Sequence, residues 1–217
     1  MSVNFRLVLL IVSISFYTTG ITANPKILDE VVVIASKDQQ SLRDVAASIS
    51  VLTDADLAII NHTHINEALA RVPGVWISRG NGQEHLTAIR SPILTGAGSC
   101  GAFLLAQDGV SLRAPGFCNV NELFESVSEL ARRIEVIKGP ASSIYGSNAL
   151  HGVINVRTPD PIESLRKITI EGGPDTYYRT RLSISSKQLR VDASGTTDSG
   201  YKDASGFDQQ KLLIKHR

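Results

Sequence analysis

Neither charge dominates this chain. Its 217 residues carry 22 basic and 21 acidic side chains, a formal net charge of +1, and Arg6 falls in a segment expected to be removed. No basic stripe is available to neutralise phosphates, so nucleic acid is not expected as a partner. Long apolar runs are missing too. Beyond the N-terminus none reaches the length that a transmembrane helix needs. Catalytic groupings are equally scarce: no nucleophile, base and orienting residue form a set, no carboxylate pair has supporting context, and no metal cluster stands out. An enzyme is therefore not expected, nor a cofactor. Cysteine is limited to Cys100 and Cys118.

What the N-terminus does carry is an export pattern. Arg6 marks a positive end, Leu7 to Phe16 is a short apolar core, and Thr18 to Ala23 is small and weakly polar. Residues 1–23 are expected to be a signal peptide, since the apolar core is too short for a membrane anchor. In an exported chain two cysteines suggest one disulfide, the alternative being two unpaired thiols. A bridge closing so short a loop stabilises by about 3 kcal/mol in the chain-entropy view. Ile27 to Ala35, ILDEVVVIA, follows as an acidic pair and a β-branched run. Such a segment beside a flexible terminus suits pairing with another protein's sheet edge, or serves as an ordinary first strand.

The middle of the chain reads as a small α+β domain. Ser48 to Leu52 suits a strand, and Thr53 a helix cap with Asp54 and Asp56 in the first turn. Thr63 is expected to open a second helix over Ile65 to Arg71, ended by Pro73-Gly74. Strands follow at Val75 to Ser78 and Leu86 to Arg90. His62 and His64 are metal ligands by type, yet no third ligand accompanies them, and an exposed polar helix start is the simpler expectation. GAGSCG, residues 96–101, matches G-x-G-x-x-G literally. It is followed by an apolar run and the hairpin signal Asp108-Gly109, which is the wrong context for a dinucleotide site. After Pro161 the texture changes to period-two alternation: KITIE, RTRLSISS and LRVDAS, then an apolar stretch over Lys211 to Lys215. This fits a transmembrane β-barrel wall or a soluble sheet of three or four strands.

One stretch organises the rest. Arg133 to Thr158, RIEVIKGPASSIYGSNALHGVINVRT, reads as a strand with one well-buried face, a Gly-Pro stop, one helical turn ended by Gly146, and a second strand restarted at Gly152. It resembles the end of the plug domain of TonB-dependent outer-membrane receptors, R-[IV]-E-V-[IL]-[RK]-G-P-x-[SA]-x-x-Y-G-x-x-A-x-G-G-V-I-N. His151 departs from that pattern, standing where the first of two glycines is usual. If the position needs positive φ, a His there costs about 1 kcal/mol. Upstream, V-P-G-V, I-R and FLLAQDGV also resemble plug segments, with Ser91-Pro92 and Ala106-Gln107 as departures.

The resemblance implies an α+β plug with a small mixed sheet and short helices, followed by the first antiparallel strands of a transmembrane β-barrel, truncated. Expected divisions are a signal peptide over 1–23, a TonB-box segment and linker over 24–41, the plug over 42–160, and the start of the barrel over 161–217. Family barrels have about 22 strands, and a sheet that cannot close leaves edges unsatisfied in lipid. The chain is therefore expected to be a truncated product or an incomplete sequence. By resemblance, Asp29, Glu30, Val31, Val32, Val33, Ile34 and Ala35 bind the energy-coupling protein TonB, with Ile34 in place of the common Thr. A plug apex built from Ser78 to Gln83, Ser91 to Gly101 and Arg113 to Asn121 would offer Arg79, Asn81, Arg113 and Phe117 to a ferric siderophore or similar metal chelate. A Cys100–Cys118 bridge would tie two of these loops. The implied location is the outer membrane, with the N-terminal segment periplasmic. A soluble periplasmic plug-like module is the alternative.

Overall fold

The computed structural model describes residues 31–32, 40–41, 47–93, 103–113, 122–146 and 148–217. At the start, β1 (Val31–Val32) pairs antiparallel with β2 (Gln40–Ser41). The central unit is a five-stranded sheet in the order β3-β8-β9-β6-β7. Its strands are β3 (Ser48–Leu52), β6 (Phe103–Gln107), β7 (Val110–Ser111), β8 (Arg133–Lys138) and β9 (Gly152–Arg157). β6 and β9 run parallel and the other pairs antiparallel, so the sheet is mixed.

Helix α1 (Asp54–Ile60) starts where the sequence indicates. The Thr53 side chain accepts from the Asp56 N–H, and the Asp56 carboxylate accepts from the Thr53 N–H at 2.9 Å, a reciprocal cap. Helix α2 is shorter than expected, Ile65–Leu69, and its cap is His64 rather than Thr63: the His64 Nδ1 accepts from the Asn66 N–H at 3.0 Å. An imidazole nitrogen replaces the usual hydroxyl here, which is why residue preference pointed one position early. The hairpin β4 (Val75–Arg79) and β5 (His85–Ile89) follows.

These elements cover one face of the sheet. Leu57, Ile65, Leu69, Ile77 and Ile89 pack onto Phe103, Leu105, Ile134, Val136, Ile154 and Val156. The other face is covered by the turn α4 (Ser142–Tyr145) and its flanks, where Ala141 and Ala149 meet Leu104, Ile137 and Val153. β8 is therefore buried on both faces, not one. Glu135 is fully buried, paired with Arg133 and hydrogen-bonded by Asn155 Nδ2 at 3.3 Å. A buried carboxylate needs such partners.

Two turn positions depend on glycine. Asp108 and Gly109 both have positive φ, 51° and 84°, the geometry of a two-residue hairpin turn between β6 and β7. At Gly152 a Cβ would lie 2.3 Å from the Ile137 carbonyl oxygen. His151 is not among the positive-φ residues, so it carries no backbone penalty. The glycine requirement at this corner is one of close strand approach and falls on Gly152.

The last four strands form an antiparallel meander: β10 (Ser164–Gly172), β11 (Tyr178–Ser186), β12 (Leu189–Asp198) and β13 (Phe207–His216). Cross-strand partners Ile168, Leu182, Ala193 and Leu212 form one outward row, and Ile184, Val191 and Ile214 another. Ile168, Ile170, Leu212 and Ile214 are each more than 60% exposed, whereas Arg179, Arg190, Asp192, Ser194 and Thr196 are buried toward the plug. A soluble sheet would bury the apolar face. This one turns polar residues inward and apolar residues outward, as a membrane barrel wall does.

Candidate functional site

The chemistry of the described chain concentrates where the plug meets the inner face of the wall. The short helix α3 (Glu122–Glu125) and a 3-10 turn over Ser128–Leu130 project from the segment leading into β8. The wall grips this segment at several points. Lys211 Nζ donates to the Ser126 carbonyl at 2.5 Å and to Glu129 Oε2 at 2.9 Å. Ser194 Oγ donates to Glu129 Oε1 at 2.9 Å, and Gln209 Nε2 to the Phe124 carbonyl at 3.1 Å. Glu129 and Lys211 are at most one-tenth exposed. In so dry a setting both charges depend on each other.

A second grip holds the turn between α1 and α2. Arg179 donates to the His62 carbonyl at 2.9 Å and to Thr63 Oγ1 at 3.0 Å. Arg181 reaches Asn61 Oδ1 at 3.0 Å and pairs with Glu171. A third lies at Asp108. Its carboxylate accepts the Thr158 N–H at 3.0 Å and faces Arg157 at 3.6 Å and Lys215 at 3.5 Å, while Lys215 also pairs with Asp160 at 2.8 Å. Lys215 holds the Asp160 carboxyl below its usual range, chiefly through that hydrogen bond.

The histidines sit in the same seam and correct the surface expectation. His62 and His64 are buried, as is His85. His62 Nε2 lies 3.0 Å from Ser128 Oγ, His64 Nε2 lies 3.3 Å from the Gln83 carbonyl, and the His64 and His85 rings meet edge-on at 5.6 Å. Burial pushes the His62 imidazole down to about 4, with Glu129 opposing and Arg179 adding to the shift. Burial, helped by Arg79, does the same for His64. Neutral rings are thus built into the seam as hydrogen-bonding and packing groups. Among the described residues no group of three or more metal-ligating side chains assembles.

The expected apex residues are only partly described. Arg79 ends β4, 3.6 Å from Glu67 and donating to the Gly82 carbonyl at 3.3 Å. Asn81 is exposed in the following turn, and Arg113 is half-buried two residues past β7. Arg79 pairs with His85 and Val75 with Ile89. The turn holding Arg79 and Asn81 and the segment beginning at Ser91 therefore leave opposite ends of one hairpin. Arg90, with φ 49°, donates to Ser48 Oγ at 2.8 Å at that second end. Phe117, Cys100, Cys118, Asp29, Glu30, Val33, Ile34 and Ala35 lie outside the described residues. Val31 and Val32 are in β1.

The seam residues Glu129, Arg179 and Lys211 were not singled out from the sequence. The signal was there in the alternation of RTRLSISS and LRVDAS. The apolar positions drew attention, while the intervening Arg, Ser and Asp mark the plug-facing side.

A mixed sheet clasped by the polar face of an antiparallel, outwardly apolar wall defines the class: a plug domain followed by antiparallel wall strands. The profile of the TonB-dependent Receptor Plug Domain matches residues 41–153, and the chain belongs to that family. Solved structures agree on the fold. The chain is similar to the pyoverdine outer membrane receptor FpvA from Pseudomonas aeruginosa PAO1, at TM-score 0.65 and 18% identity over 85% of this chain and 26% of that one. It is similar to the alcaligin outer membrane receptor FauA from Bordetella pertussis, at 0.62 and 17% over 85% and 31%. It is also similar to the ferric yersiniabactin uptake receptor FyuA from Yersinia pestis, at 0.59 and 19% over 77% and 28%. The chain thus spans about a quarter of the length of these structures.

Proposed function

We propose that this chain is the N-terminal part of an outer-membrane receptor that binds a scarce nutrient, a ferric siderophore or similar metal chelate, and admits it when energy coupling opens the plug. The observation that carries this is the clasp itself: a mixed sheet held by buried polar wall residues whose neighbours present an apolar face outward. That face disfavours a soluble periplasmic module, because so many exposed aliphatic side chains in register would cause aggregation in water. Similarity to receptors named for pyoverdine, alcaligin and ferric yersiniabactin supports the choice of cargo.

In this proposal residues 24–41 form the periplasmic coupling segment, 42–160 the plug and 161–217 the first wall strands. Asp29 to Ala35 pairs with TonB as an added strand. Arg79, Asn81, Arg113 and Phe117 contribute to the ligand-facing apex, and a Cys100–Cys118 disulfide restrains two of its loops. The test is uptake of a radiolabelled ferric chelate by receptor-deleted cells complemented with the gene carrying this chain. Accumulation that stops when the proton-motive force is collapsed, while surface binding persists, is expected. Accumulation indifferent to that force would refute energy coupling.

A further inference from the structure

One hydrogen bond in the plug depends on a ring nitrogen being bare. The first turn of α2 is closed by the Asn66 N–H, which donates to His64 Nδ1 at 3.0 Å. A backbone N–H can only donate, so Nδ1 must hold a lone pair. The proton then sits on Nε2, which faces the Gln83 carbonyl at 3.3 Å as a donor. Both partners therefore select the same neutral tautomer. The ring is 1% exposed, so water is a poor substitute if either bond fails.

The neighbouring histidines lack this property. His62 Nε2 faces Ser128 Oγ at 3.0 Å, and a hydroxyl turns to accept or donate as the ring requires. His85 Nδ1 faces the Gln83 carbonyl at 2.9 Å, an acceptor in either state of the ring. A proton on His64 is different, because it sets an N–H on Nδ1 against the Asn66 N–H. The surroundings also oppose that proton. Burial first, then Arg79 of β4, and more weakly His85 of β5 and His62, hold the His64 imidazole down at about 4, with the Gln83 carbonyl opposing. Glu67 of α2 is engaged elsewhere, accepting the Thr63 N–H at 2.9 Å and facing Arg79 at 3.6 Å.

We propose that His64 is a proton-operated latch: its bare Nδ1 caps α2 and holds the turn from Asn61 to His64 in the shape that the wall grips, and a proton there opens the cap and slackens that grip. Arg179 of β11 holds this turn through the His62 carbonyl at 2.9 Å and Thr63 Oγ1 at 3.0 Å. Both residues directly precede the capping ring, so cap and grip share one turn. An uncapped ring takes up a proton near the ordinary 6.5, the capped ring only near about 4. The open form therefore binds protons that the closed form refuses. Its population rises about tenfold for each pH unit below the ordinary value and levels off once the capped ring also titrates. The device is local, because Ala68 and Leu69 anchor the rest of α2 in the core. It needs only the plug and β11 and does not rest on the receptor assignment.

The experiment is amide hydrogen exchange on the full-length protein in detergent micelles, resolved to single residues by fragmentation in the mass spectrometer, with each rate divided by its intrinsic value at that pH. From about pH 7.5 to about 4.5 the protection of the Asn66 and Glu67 amides should fall about 100-fold. The Thr63 amide, held by Glu67 in the gripped turn, should fall with them. His64→Asn keeps a capping oxygen that does not titrate, so its protection at these amides should change less than about threefold over that range. If that variant does not fold, His62→Gln serves: it removes one seam histidine but not the cap, and a fall of about 100-fold should remain. Constant wild-type protection, a steady Thr63 amide, an equal fall in His64→Asn, or loss of the fall in His62→Gln would each overturn the latch. Because no transport is measured, failure here is distinct from failure of the receptor assignment.

Discussion

Gly152 and His151 are adjacent, yet the structure assigns them unequal weight. A Cβ on Gly152 collides with a β8 carbonyl that cannot withdraw without breaking the ladder. Gly152→Ala should therefore destabilise the protein by about 3 kcal/mol, whereas His151→Gly should change stability by under about 1 kcal/mol. Urea denaturation of both variants checks this, and equal effects would refute it. The buried histidines make a second prediction. His62 and His64 sit at about 4 when folded against a usual 6.5. Above pH 6.5 neither state takes the proton. Between 6.5 and about 4 the unfolded chain binds protons that the folded seam refuses, so stability falls as pH falls, by on the order of a few kcal/mol, and levels off below. His62→Gln should flatten part of that slope. A wild-type-to-variant difference that stays constant from pH 7 to 4 would contradict it. The proposed export to an oxidising compartment and the proposed closeness of two apex loops lead to a third prediction. Non-reduced, alkylated digests should yield the Cys100 and Cys118 peptides linked, and recovery of both as alkylated thiols would remove the bridge.

Elements with local signals were legible in the sequence. The Ser48–Leu52 strand, the Thr53 cap, the Asp108-Gly109 turn and the strand–turn–strand around Gly139-Pro140 each follow from residues a few positions apart. Less legible was whatever depends on a distant partner. His64 caps α2 because its ring is wedged against Gln83 and His85, and β8 is buried on both faces because α4 folds back over it. Replacing Arg79, Asn81, Arg113 and Phe117 together with Ala should weaken chelate binding by the receptor roughly tenfold or more, the loss of a few polar contacts and one aromatic. Among the described residues, the turn at Arg79 and the segment from Ser91 leave opposite ends of the β4–β5 hairpin. Unchanged affinity in equilibrium binding would move recognition to the wall loops.

At the scale of the whole molecule, two alternations meet. The plug's buried sheet presents polar turns at its border, and the wall presents polar residues inward and aliphatic ones outward. Family membership was carried by the long Arg133–Thr158 signature, but the seam that joins the halves was not legible, because Glu129 and Lys211 lie 82 positions apart and each alone looks like a solvated charge. β1 is the first described element of the chain. In the proposed function the segment around β1 couples the receptor to an energy source by pairing as a strand. Proline removes one backbone donor and fixes φ, so Val32→Pro should disrupt the pairing without touching the distant apex. The direct measurement is paired binding and energised uptake of a radiolabelled ferric chelate by cells expressing the receptor with Val32→Pro. Wild-type surface binding with uptake lost is expected. Uptake at the wild-type rate would contradict it.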